Sequence, residues 1–305
     1  MDRKKYLQGL LYGSAAYFMW GFLPLYWKLV SALSPYQIFA QRVVWSCLFV
    51  AVLLRLTGGL KPFLEKLKSQ KTWVGGLAAA AFISVNWLTY IWGVNNGFVV
   101  ECSLGYYINP LMLTLFGRLL YGERMTRLQG AGIFSALLGV ALSTWFYHRI
   151  PVIGLTLALS FAVYGVLKKR SGLDSLQGLT LETLIVGAPS LVYLVYSETG
   201  GLGITGNLPA WFWGLIALSG VATSVPLLAY AEGAKRLPLN VLGFLQYISP
   251  TIGLILGVTV FGEPFDGRSL ISFGFIWLGL GLFTWSQIRF LSAGKEPVKD
   301  LPPAE

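Results

Sequence analysis

The sequence predicts an all-α membrane protein of ten transmembrane helices, arranged as two five-helix inverted repeats with both termini on the cytoplasmic side. Three observations carry that expectation. Hydrophobic residues make up 55% of the chain and charged residues 12%, with a mean hydropathy of +0.65, a mix outside that of soluble domains. Tyr107-Ile108-Asn109-Pro110, followed by Tyr121-Gly122-Glu123, returns 140 residues later as Tyr247-Ile248-Ser249-Pro250, followed by Phe261-Gly262-Glu263. The Lys and Arg residues, 23 in all, gather on one side of the membrane that the apolar stretches imply.

A helix needs about 20 apolar residues to cross roughly 30 Å of hydrocarbon. The first stretch, near 7–27, follows Arg3, Lys4 and Lys5 but lacks a small-residue cleavage pattern, so it reads as a retained helix and not a signal peptide. The second, 35–56, carries Arg42. The third, 73–94, holds Asn86, Trp87, Tyr90 and Trp92 and ends at Asn95-Asn96. The fourth, 98–119, opens with Glu101 and contains Asn109-Pro110; the fifth, 128–147, runs into the interfacial series Trp145-Phe146-Tyr147-His148-Arg149. The sixth, 150–167, matches the first at a spacing of 144 through Phe161, Tyr164 and Gly165. The seventh, 178–196, carries Glu182. The eighth, 210–231, holds Thr223, Ser224 and Tyr230; the ninth, 238–260, holds Gln246, Tyr247 and Pro250; the tenth is 269–290. The repeats are therefore 1–147 and 148–290, with a cytoplasmic tail at 291–305.

A net charge of +10 suggests nucleic acid until the cations are placed. With the N-terminus inside, nineteen Lys and Arg fall on the inner side and only Lys28, Arg149 and Arg268 on the outer, a positive-inside pattern that sets topology. No basic groove interleaved with aromatics is left for nucleic acid. Five helices per copy is an odd number, so the second copy enters from the opposite face. From Trp73/Trp213 to Trp145/Trp285 the register runs without a gap, with 17 identities in 73 pairs that fall on Gly, Pro, Trp and Tyr as well as on apolar residues. A duplicated half with matched prolines is the pattern of a secondary transporter's binding site.

Pro110 and Pro250 each remove a backbone hydrogen bond inside a helix, a break tolerated in hydrocarbon only beside protein or a wet cavity. Asn86, Tyr90, Asn109, Thr223, Gln246 and Tyr247 are the polar candidates to line such a cavity, which would suit a small amphipathic or zwitterionic solute; the alternative for them is interhelical hydrogen bonding. Arg42, Glu101 and Glu182 are the charged candidates. Arg42 and Glu182 are equivalent at a spacing of 140; a pair between Arg42 and Glu101 would offset two desolvation costs, and Glu182 is the candidate for proton coupling. Glu123 and Glu263 read as loop or capping groups.

Other chemistries are excluded. A single histidine, His148, makes no metal site, and Cys47 and Cys102 read as unpaired packing residues. Gly201-Leu202-Gly203-Ile204-Thr205-Gly206 has the spacing of a dinucleotide loop but no strand before it. There is no Walker A motif and no nucleophile-base constellation, so neither an enzyme nor a cofactor is expected.

At Gln41-Arg42-Val43-Val44-Trp45, Asn86-Trp87, Val94-Asn95-Asn96, Ser103-Leu104-Gly105-Tyr106-Tyr107-Ile108-Asn109-Pro110, Thr223-Ser224-Val225-Pro226 and Gly243 to Thr251, the chain resembles the RarD branch of the EamA transporters, in the drug/metabolite transporter superfamily. The resemblance spans essentially the whole chain. It implies a carrier of the prokaryotic cytoplasmic membrane, in a superfamily that exports amino acids and other small metabolites, and a branch that carries a chloramphenicol-sensitivity label without a settled substrate. The expected function is secondary active export of a small organic solute by a monomer or weak homodimer. The alternative is a non-transporting multi-pass subunit or sensor.

Overall fold

The computed structural model describes residues 3–121, 125–234, 236 and 245–292. Among them the chain is helical throughout, without a strand: α1 (Arg3–Leu29), α2 (Pro35–Leu56), a short α3 (Leu60–Lys66), α4 (Gln70–Asn95), α5 (Val99–Tyr121), α6 (Arg127–Tyr147), α7 (Val152–Arg170), α8 (Ser175–Thr199), α9 (Trp211–Ala234), α10 (Ile248–Thr259) and α11 (Gly267–Ser292). Polar side chains fix several starts. Ser34 with Gln37 and Thr126 with Gln129 form capping boxes on α2 and α6, and Asp174 caps α8, each satisfying amide donors that the first turn leaves free.

Six helices are long and apolar enough to cross a membrane: α2, α4, α6, α8, Trp211–Tyr230 of α9 and Gly267–Ser286 of α11. The remaining expected spans fall on α1, α5, α7 and α10, of which Val152–Lys168 and α10 are shorter apolar helices. Large apolar side chains such as Leu11, Leu56, Trp145 and Val192 are at least 70% exposed, as lipid-facing residues are. The chain is an all-helical membrane protein.

Lipid is as apolar as a leucine core, so close packing and hydrogen bonds hold such helices together. α6 crosses α11 at Gly132 and Gly279: a Cβ on Gly132 would sit 2.7 Å from Gly279 O, and one on Gly279 2.5 Å from Gly132 O. Between these glycines Ser135 donates its hydroxyl to Phe275 O at 2.6 Å. Elsewhere α1 packs on α9 and α10, α7 on α4 and α5, α2 on α8 and α9, α4 on α8, and α5 on α10. One buried cluster gathers Trp27, Ile38, Ile91 and Ile216; a second gathers Leu104, Tyr107, Leu254 and Ile276.

The two matched prolines differ in setting. Pro110 lies inside a continuous α5, so the expected break there is the loss of one hydrogen bond without an interruption of the helix. Pro250 lies in the first turn of α10, after a turn at Gln246-Tyr247, where its missing amide costs least. Glu123 lies outside the described residues.

Candidate solute site

Arg42 lies two turns into α2 and is 5% exposed. Its Cζ is 5.0 Å from the Trp27 ring of α1 and 4.3 Å from the Trp87 ring of α4, and Nε donates to Thr223 Oγ1 of α9 at 2.9 Å. Among the described residues it forms no ion pair, and no acceptor is hydrogen-bonded to Nη1 or Nη2. Tyr26, Tyr90 and Tyr106 are close enough to feel its charge. One turn along α2, Ser46 is fully buried; one turn back on α9, so is Ser219. The Ser46 hydroxyl and Trp27 Nε1 lack a protein partner, while Ser219 lies within reach of the Tyr26 hydroxyl.

Asn86 of α4 is committed to protein. Its Nδ2 donates to Leu157 O at 3.0 Å and Ser160 Oγ at 3.1 Å on α7, and Tyr106 OH of α5 donates to Oδ1 at 3.2 Å. Asn86 thus ties three helices, the interhelical alternative of the two open for it. Tyr90 packs edge-on against Tyr106, with ring centroids 5.5 Å apart. Asn109 is fully buried, and neither end of its amide meets a protein partner. Tyr107 stacks on Tyr247 at 6.4 Å, and its hydroxyl is 2.7 Å from Thr251 Oγ1. Gln246 is partly buried and Pro250 buried.

The expected pair between Arg42 and Glu101 does not form. Glu101 Oε2 pairs with Arg149 at 3.2 Å, and Oε1 accepts from Ile153 N at 2.9 Å, capping α7. Arg149 comes directly after the α6 terminus, where His148 adopts a left-handed φ of 50°, and so reaches the Glu101 carboxylate, with which Arg42 of α2 does not pair. Glu263 is a cap, as its place in a Gly-Glu turn implies: its oxygens accept from Val99 N at 2.6 Å and Val100 N at 2.8 Å on α5. A hollow of about 260 Å³ beside these caps is lined by Glu101, Tyr147, Arg149, Glu263 and Phe273, and both its carboxylates are already engaged.

Two turns into α8, Glu182 is 3% exposed, with Lys168 Nζ at 2.8 Å and Tyr164 OH donating at 3.0 Å. Sequence position alone assigns Lys168 to topology; a buried acid in an apolar helix is the signal that a neighbouring cation will be drawn in. Trp27 is equally unmarked in the sequence, since its indole reads as an interfacial anchor. The glycine-spaced loop folds around Glu198, whose carboxylate accepts from Ile204 N and Thr205 N. Both cysteines are free.

The sequence profile of the EamA-like transporter family matches residues 7–145 and, separately, residues 149–285. The chain belongs to the EamA-like transporter family. It is 43% identical over 298 residues to the uncharacterized transporter YojE of Bacillus subtilis (strain 168), covering 97% of this chain and 99% of that one. With Protein RarD of Escherichia coli (strain K12) it shares 37% identity over 291 residues, covering 94% and 97%, which places it in the RarD branch. A chloramphenicol-sensitive protein RarD of Pseudomonas aeruginosa is 30% identical over 290 residues. A protein of known crystal structure aligns with a TM-score of 0.61 over 92% of this chain and 98% of its own at 21% identity, a likeness of fold alone. This EamA protein is thus a multi-pass protein of the bacterial cytoplasmic membrane, from a family that transports small solutes.

Proposed function

We propose that the chain is a secondary active carrier with ten membrane-spanning helices, two inverted five-helix repeats at 1–147 and 148–290, and both termini cytoplasmic. It moves a small organic solute outward by rocking the two repeats about a shared cavity. The observation that carries this reading is the exchange of packing partners between copies. If α1, α2, α4, α5 and α6 correspond to α7, α8, α9, α10 and α11, then α1 on α9 and α10 is mirrored by α7 on α4 and α5. α2 on α9 is mirrored by α8 on α4, while α2–α8, α5–α10 and α6–α11 each pair a helix with its own copy. Two contacts that span 140 residues, Ser135–Phe275 and Tyr107–Tyr247, lie where a two-fold axis would pass. Such an arrangement gives two conformations of equal architecture, open to opposite sides.

The site draws on Arg42, Tyr90, Asn109, Thr223, Gln246 and Tyr247, with Glu182 and Lys168 as the charged pair at the inner end. Proton coupling would act through Glu182, whose partner Lys168 would be released when the carboxylate takes a proton. Reconstitution into liposomes under an imposed proton gradient tests the carrier. Flux of metabolites that collapses with the gradient is expected; a properly folded protein that carries no amino acid, drug or metabolite would favour a non-transporting subunit or sensor. Impermeant maleimide labelling of single cysteines at Lys4 and Lys28 tests the orientation, with only the second reactive from outside.

A further inference from the structure

We infer that Arg42 is the docking point for the carboxylate of a singly charged organic solute, a substrate class that rests on the carrier reading above. A guanidinium has five N–H donors, and only the one on Nε is taken, by Thr223. The terminal nitrogens have no acceptor and the residue no counter-ion among the described residues, although it is 5% exposed. A cation at that depth is stable only with a partner.

The surroundings define the partner. Cζ lies over the Trp27 and Trp87 rings at 5.0 and 4.3 Å, and the terminal nitrogens without acceptors form the edge that meets a carboxylate in a two-point fork. The Ser46 hydroxyl and Trp27 Nε1, both buried and unpartnered, are further donors, and Ser46 lies where Gly220 brings α9 against α2. Both of these groups can donate to an anion. One positive charge balances one negative charge, and no second cation is paired into the layer, so a carboxylate fits and a phosphate dianion does not. The aromatic walls suit an apolar body behind that head group.

The equivalent position in the second copy behaves differently. Glu182 keeps a permanent partner in Lys168, whereas Arg42 has none, so its counter-ion can arrive and leave.

The test uses the purified full-length chain in lipid nanodiscs and three matched probes: phenylacetate, its neutral isostere phenylacetamide, and phenethylammonium. Calorimetry is expected to detect phenylacetate alone, with Arg42→Gln weakening it by at least about tenfold and Arg42→Lys retaining part of the affinity. Phenylacetamide binding as well as phenylacetate in the wild type would overturn the assignment without recourse to any variant. So would full phenylacetate affinity in Arg42→Gln, or no response to phenylacetate in the wild type. Liposome flux separates this from the carrier reading. Arg42-dependent binding without flux leaves the site standing and removes the carrier; solute flux that is indifferent to charge and to Arg42→Gln removes the site and leaves the carrier.

Discussion

Gly132 of α6 and Gly279 of α11 meet so closely that a methyl group on either would lie within 2.7 Å of the other's carbonyl oxygen. Backbone, unlike the end of a flexible side chain, does not yield. Gly132→Val and Gly279→Val are each expected to lower stability by about 1–3 kcal/mol, the usual cost of overpacking. Thermal denaturation in detergent, followed by tryptophan fluorescence, reads the effect; a melting temperature equal to wild type would show that the crossing is looser than described.

Lys168 and Glu182 should be far more costly to break than to remove. Lys168→Met leaves the carboxylate of Glu182, 3% exposed, without its counter-charge, and is expected to destabilise by about 3–5 kcal/mol. The double variant Lys168→Met with Glu182→Gln should recover most of that loss. Equal melting temperatures for the single and double variants would argue that the pair is immaterial to folding.

Asn109 offers the opposite case. Its buried amide meets no protein partner at either end, so the fold carries a desolvation cost of about 1–3 kcal/mol with no hydrogen bond to offset it. Asn109→Leu should therefore leave stability unchanged or raise it, while flux in liposomes falls. A strong loss of stability would mean that the amide is holding helices together.

Asp266, in the connection before α11, gives a dependence on pH. The Tyr147 hydroxyl and the Ser269 amide donate to its Oδ1, and chiefly through the Tyr147 bond they hold the carboxyl at about 2, below the ordinary 3.8. Since the folded value is the lower one, the contribution is complete above the unfolded pKa and fades as pH falls from 3.8 towards about 2. Across that window wild type should lose more of its melting temperature than Asp266→Asn. Parallel curves would place the acid sensitivity elsewhere.

Much of the helix layout was legible because the membrane leaves few options. Apolar length alone marks α2, α4, α6, α8 and the greater part of α9 and α11 as spans. Partner choice was far less legible. Glu101 reads as a match for Arg42 when only depth is known, yet Arg149, carried round by the left-handed His148, reaches it instead. Likewise Asn86 reads as a cavity group until Leu157, Ser160 and Tyr106 are found around it. Periodicity and hydropathy order the helices along the chain, but they do not say which face of one helix meets which face of another. Pro110 reads as a helix break for a related reason: the residue type signals one lost bond, and one lost bond does not interrupt a helix whose other turns remain intact.

The first turn of α5 is closed by Glu263, a residue 164 positions later than Val99 in the chain, and α7 is closed in turn by Glu101 from the earlier copy. Each half thus lends the other a missing end-piece. The amides of Val99 and Val100 gain these acceptors only once the connection after α10 has been made. A severed first half would lack that carboxylate altogether, so co-expression of 1–147 with 148–290 should rescue fragments that are degraded when made alone.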